Sequence, residues 1–444
     1  MKHLLSLALA LGPLAMYAQT PCSVHPVTYQ GWEAQEVTNQ WLKLTVVPQL
    51  GGRLMQVEFD GHPYLFVNPK FRGQYISPTE AKGGWINYGG DKIWPMPEGD
   101  QDDHHWVLAS TAIDDLPYAF KVLSQGKECA VQLDGQPDTI TGLQYSRTIT
   151  ISATSPEIHF HAVTKNAATH PIEWSVQSVS QYDLSDHTNP TDYNHDLYAY
   201  TPAKPNSTYP DGYHVRSGLA DDPSFSIQKD LFQLHWKYFE NEVWLDSPAG
   251  WLAVLDRQSH FGMIEHFTYI PAGNYPGKAT TIFYKNGPGV RFDKQDHATI
   301  PDTTQLATPY YMEAEINSPI VKLAPNQTYA FDTTWSPIYT TGTPISVNPT
   351  GLVTQAFTAT AEGTQLTLTG TVTAFAPGTL VLSYLNQRGA EIEKQTLGPI
   401  AVGVEAVIQQ QGLTPPAGTK AIALKLVDQN NKDLGILART DIRK

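Results

Sequence analysis

The sequence predicts an all-β protein. Short runs rich in Val, Thr, Tyr, Phe and Trp recur along its 444 residues, separated by turn formers that include 33 Gly and 33 Pro. Runs of helical period longer than two turns are hard to find. Period-two alternation is clear at Trp41–Val47, where Leu42, Leu44 and Val46 share one face before Gln49-Leu50-Gly51-Gly52 turns the chain into Arg53–Phe59. Leu143–Ile151 and Glu157–Val163 form a second strand pair, joined by Ser152–Pro156. Tyr311–Ile316, the turn Leu323–Thr328 and Tyr329–Trp335 read as strands that close a large module.

The order of the segments follows from composition. Residues 1–18 read as a secretory signal: Lys2 and His3, an apolar run from Leu4 to Leu14, and cleavage after Ala18. No later stretch approaches the roughly 20 apolar residues that a membrane-spanning helix needs. The expected location is therefore outside the cytoplasm, in the periplasm or the medium. A large module is expected over 19–335, a Thr/Pro/Gly-rich linker over 336–346, and a small β-sandwich of immunoglobulin or fibronectin type over 347–444. Aromatics thin out after the linker, and all 10 Trp lie at or before Trp335. The net charge of −14 makes nucleic acid and anionic membrane surfaces poor partners. Two cysteines, Cys22 and Cys129, could pair in an oxidising compartment, but their spacing does not show that they do. No Cys/His pattern calls for a metal, and no cofactor motif occurs.

Concentration of aromatics in the large module points to a carbohydrate ligand. A sugar ring presents C–H faces and a rim of hydroxyls, so its site needs flat aromatic platforms beside fixed donors and acceptors. The stretch 83–98 offers both: Trp85, Tyr88 and Trp94 as platforms, with Asn87, Asp91, Lys92 and Glu98 as polar partners and glycines that admit a close ligand. The alternative for this loop is a tightly turned, buried structure with its rings under the sheet. In Asp102-Asp103-His104-His105-Trp106, adjacent histidines point to opposite faces of a strand, so they would not share a metal, and His105 is a candidate acid. In Tyr311–Ile316, Met312, Ala314 and Ile316 take the core face, leaving Tyr311, Glu313 and Glu315 on the other. Two glutamates side by side raise one another's pKa, which suits proton transfer; a solvated outer face is the plainer alternative.

Taken together, Val46-Val47-Pro48-Gln49-Leu50-Gly51-Gly52-Arg53-Leu54, Tyr88–Pro95, Glu173-Trp174-Ser175-Val176-Gln177 and Met312–Pro319 resemble the galactose mutarotase-like superfamily, in particular its branch labelled domain of unknown function 4380. The resemblance covers most of the large module and none of the C-terminal one. It implies a large antiparallel β-supersandwich with a sugar-binding concave face. For aldose 1-epimerases it implies a late glutamate base, matched here by Glu313 or Glu315, and a histidine acid. The strand expected to carry that histidine, Trp174–Gln177, has none, and His195 lies too far downstream for a simple match. The expectation is a sugar-binding site formed by Arg53, Trp85, Asn87, Tyr88, Asp91, Lys92, Trp94, Glu98 and Gln177. Glu313, Glu315, His105 and His195 are its catalytic candidates. Enzymatic activity is left open between a sugar epimerase or other carbohydrate-active enzyme with Glu313 or Glu315 as base, and a non-catalytic binding or cell-surface interaction protein.

Overall fold

A computed structural model describes residues 20–99, 105–106, 112–186, 189, 193–237, 240–286, 291–292, 298–299 and 310–443. Among them the regular structure is almost all β-strand, with one four-residue α-helix at Pro78–Ala81 and two three-residue 3-10 turns. Two large antiparallel sheets, of 12 and 10 strands, form the N-terminal body. The alternation anticipated in sequence is what packs them. Leu143, Tyr145, Ile149 and Ile151 of one sheet meet Met312, Ala314 and Ile316 of the other in a single apolar core. Each of the larger apolar side chains among them, fully buried, contributes roughly 1.5–3 kcal/mol.

Residues 346–443 form an eight-stranded β-sandwich with its own core, which includes Leu368, Leu382, Ile422 and Leu424. The expected linker is not a loose tether. The strand that was expected to stop at Trp335 runs on from Thr328 to Tyr339, because Phe261–Phe267 continues to pair with it as far as Phe261 opposite Tyr339. Beyond it, Thr340 and Thr341 bond to Glu405, and Arg257 reaches Thr343. A further apolar cluster joins the two parts: Trp251, Ile264 and Ile338 pack with Leu352 and Phe375. Cys22 and Cys129 are disulfide-bonded, with Cα atoms 5.8 Å apart. No helix among the described residues is long and apolar enough to cross a membrane.

The glycine pair at the centre of the 83–98 stretch has a structural role, not the ligand-admitting one expected. Gly89 and Gly90 both have positive φ, at 97° and 76°. A Cβ on Gly89 would lie 2.1 Å from the Phe66 carbonyl oxygen, and one on Gly90 would lie 2.8 Å from that of Leu54. Only glycine lets this turn press against the neighbouring strand and start Asp91–Met96 in register.

Candidate functional site

Six strands of the larger sheet run side by side in the order Asp91–Met96, Ile172–Asp183, Tyr311–Asn317, Thr281–Lys285, Asn241–Leu245, His214–Gly218. Because residues opposite one another in antiparallel strands share a face, their register lays out the site. One row crosses from Lys92 through Val179, Glu315 and Ile282 to Trp244. The next runs Gln181, Glu313, Tyr284, Glu242. A third places Trp94 opposite Gln177 and Gln177 opposite Asn317. This is the face turned away from the inter-sheet core.

Glu313 and Glu315 are only 6% and 7% exposed, so the solvated-face alternative does not hold. Each carboxylate is held by a side chain from the adjoining strand. Lys92 Nζ pairs with Glu313 Oε1 at 3.0 Å, and Gln181 donates to the same oxygen at 2.7 Å. Gln177 donates its amide to Glu315 Oε2. Glu98 and Glu242 complete a group of four interacting glutamates, with Lys92 and Arg216 as the nearby cations. Burial first, and then Glu313, Glu242 and Glu98, push the Glu315 carboxyl well above the ordinary carboxylate range. The enclosing protein and then Glu242 and Glu313 push Glu98 up to about 7, although its side chain still meets solvent at the rim. Glu242 is raised too, chiefly by burial, while the indole N–H of Trp244 bonds to it and opposes the rise.

Aromatic surfaces flank these acids on both sides. Lys92 Nζ sits 4.1 Å from the Trp94 ring centroid and 5.9 Å from that of Trp85. Trp85 and Trp94 meet edge to face at 5.9 Å. A single buried carboxylate, Asp114, orders both indoles: it accepts from Trp94 Nε1 at 2.7 Å and from Trp85 Nε1 at 3.0 Å. Of the two rings, Trp85 is half-buried and can face a ligand, whereas Trp94 is buried with Trp106 behind it. Across the acids, half-buried Trp244 packs with Met96 and Ile282.

The structure thus brings together Trp85, Lys92, Trp94, Glu98, Gln177, Glu313 and Glu315. Asn87 lies at the margin, its side-chain oxygen accepting from Gly89 N–H and its amide close to the Tyr311 hydroxyl. Three expected ligand contacts need correction. Tyr88 is fully buried, its ring in a core cluster with Trp32 and its hydroxyl on the Ile76 backbone. Arg53, also fully buried, pairs with Asp114 at 2.8 Å and bonds to the Gly89 carbonyl. Asp91 points to the inter-sheet side and pairs with Arg147. All three shape the fold beneath the site; alternation within Asp91–Met96 sends Asp91 inward and Lys92 outward.

The two histidines fare differently. His105 lies against Gly99, next to Glu98, at the rim. His195 instead packs in a tilted arrangement on Tyr193, with ring centroids 4.0 Å apart, in an aromatic group with Trp236 and Tyr310 beyond the end of the Tyr311 strand. It does not join the glutamates, which corrects its expected catalytic role. His104, Asp102 and Asp103 lie outside the described residues.

Glu242 and Trp244 were missed in sequence although a signal existed. Asn241-Glu242-Val243-Trp244-Leu245 alternates as Tyr311–Ile316 does, with Val243 and Leu245 on the core side. Gln181 lies four residues past Gln177 on the same face. Asp114 carries no local signal, since its partners are distant in the chain. No group of three or more His, Cys, Asp or Glu among the described residues is arranged to hold a metal ion.

No known protein family and no curated protein matches the chain. Solved structures do. A TPR-domain containing protein from Parabacteroides distasonis aligns at 13% identity and TM-score 0.44, over 72% of this chain but only 50% of the other, so this chain spans half its length. A galactose mutarotase-like protein from Clostridium acetobutylicum aligns at 8% identity and TM-score 0.44, over 72% of this chain and 99% of the other. Another, from Lactobacillus casei, aligns at 9% identity and TM-score 0.43, over 68% and 99%. All three alignments are distant, and the latter two are to galactose mutarotase-like proteins.

Proposed function

We propose that the outer face of the larger sheet binds a carbohydrate. One observation carries this reading: two half-exposed indoles, Trp85 and Trp244, flank a strip of fixed carboxylates and amides, namely Glu313, Glu315, Gln177 and Gln181, with Lys92 among them. Rings that stack on C–H faces, beside acceptors and donors already oriented, are what a pyranose requires. The resemblance seen in the sequence supports the same class of ligand. Export belongs to the proposal as well. It is supported by the apolar N-terminal segment and by the Cys22–Cys129 bond, since disulfides persist in oxidising compartments. The two-part organisation, with an N-terminal body and a C-terminal sandwich, completes it.

A second reading, a sugar isomerase of aldose 1-epimerase type, is favoured by a specific contrast. Glu313 is ion-paired to Lys92, whereas burial holds its neighbour Glu315 toward the protonated form. Paired carboxyls in unlike environments supply a base and an acid at one pH. The test is proton NMR of the mature protein with free aldoses and short oligosaccharides, reading saturation transfer and anomer exchange together. Binding weakened tenfold or so in Trp244→Ala is expected. Exchange above the buffer rate, lost in Glu315→Gln, would establish the isomerase. Undiminished binding in both Trp244→Ala and Lys92→Met would refute the site.

A further inference from the structure

A second groove, floored by Trp41 and lined by none of the residues around the glutamates, lies where the N-terminal body meets the C-terminal sandwich. It encloses about 500 Å³ and is lined from one side by Gln40, Trp41, Thr154 and Ser155. From the other side come Ala376–Thr379, Asp428, Gln429 and Leu434. Both parts of the chain are needed to form it.

Side-chain hydrogen bonds brace the turns that form its walls. On the first wall, the Asn39 carboxamide oxygen accepts from the backbone N–H groups of Trp41 and Leu42 at 2.8 and 2.7 Å. The same side chain donates to the carbonyls of Ser152 and Ser155 at 2.8 and 3.0 Å, locking two turns together beneath the Trp41 indole. On the second wall, Asp428 accepts from the N–H groups of Asn430 and Lys432, both at 2.8 Å, and so fixes the turn that carries Gln429. The Trp41 ring packs on the main core by one side and stays half-exposed. Gln40 and Gln429 are exposed, and among the described residues neither side-chain amide has a protein partner.

From this geometry we infer that the groove is a second binding site, for a segment of an oligo- or polysaccharide chain. A fixed, half-open indole supplies the stacking surface. The unpartnered amides of Gln40 and Gln429, with the hydroxyls of Thr154 and Thr379, supply the donors and acceptors that sugar hydroxyls need. Preorganised walls lower the ordering cost that otherwise makes sugar binding weak. The groove holds no positive side chain among its lining residues, which disfavours a phosphorylated or sulfated ligand.

Affinity electrophoresis of the full mature protein, in gels holding soluble starch, xylan, galactan or hydroxyethylcellulose in turn, tests the inference. Retardation by at least one of these is expected. It should weaken about tenfold or more in Trp41→Ala, as for loss of a stacking anchor. Gln429→Ala, on an exposed turn, should fold normally and weaken the same interaction severalfold. Trp244→Ala, in the other site, should leave polysaccharide retardation unchanged while weakening monosaccharide binding by NMR about tenfold. That pattern separates the two sites, so failure of one does not imply failure of the other. No retardation by any of the four polysaccharides, or equal retardation of wild type, Trp41→Ala and Gln429→Ala, would overturn the second site.

Discussion

Replacing Lys92 by Met should unsettle the site more than any other single change. Lys92 is 3% exposed, its ammonium 3.0 Å from Glu313 and 4.1 Å from the Trp94 ring centroid. Removing one member of a buried ion pair leaves the other charge uncompensated and typically costs 3–5 kcal/mol. Methionine keeps most of the stem volume, so the packing share of the loss is small. The pH dependence identifies the cause. Lys92 is one of the influences that lower the carboxyls of Glu315 and Glu98, both already raised in the fold. A carboxyl raised on folding gives full stability below its unfolded pKa and loses it as pH rises toward the folded value. Without Lys92 those folded values move further up, so the destabilisation should grow from pH 5 to pH 8. Urea unfolding followed by tryptophan fluorescence at these two pH values measures it. A loss below about 1 kcal/mol at pH 8, or one that shrinks with rising pH, would refute the argument.

Three further outcomes are expected. Glu265, fully buried with Tyr182 Oη–H donating to it at 2.6 Å, is pushed up to about 8, first by burial. Its proton is held in the fold between pH 4.5 and 7 and lost in the unfolded chain, so Glu265→Gln should stabilise by about 3 kcal/mol at pH 7 and hardly at all at pH 4. Denaturation at the two pH values checks this. Asp114→Asn should weaken sugar binding and shift the tryptophan emission, because one carboxylate orders the indoles of Trp85 and Trp94 and neutralises Arg53. Reducing the Cys22–Cys129 bond, which spans 107 residues, should cost up to about 4 kcal/mol, read as a lower urea midpoint in dithiothreitol.

Strand identity was legible because burial here follows simple alternation. Leu143–Ser152 reads buried and half-buried at every second residue, as its sequence does. The same rule put Glu313 and Glu315 together on the face away from Met312, Ala314 and Ile316. Where the rule gave no help was depth. Tyr88, Arg53 and Asp91 have the chemistry of ligand contacts, but each is covered by residues far away in the chain: Trp32, Asp114 and Arg147. Sidedness within a strand can be read locally; what lies over a face depends on pairings across dozens of residues. That is also why Asp114 escaped notice and why His195, attractive by type, proved to belong to a different aromatic group. The boundary at Trp335 misled for a similar reason, since the partner strand Phe261–Phe267 determines how far the last strand extends.

The apolar cluster that joins the C-terminal sandwich to the body has a consequence for any attempt to divide the chain. Trp251, Ala253, Leu255, Ile264 and Ile338 lie on the outside of the smaller of the two large sheets, and their cover is Leu352 and Phe375. A fragment ending near residue 346 would leave this patch bare to water, a surface that promotes self-association. The C-terminal sandwich therefore works as a lid on the back of the body. The natural unit for expression, crystallisation or engineering is the pair, not the half that carries the glutamates.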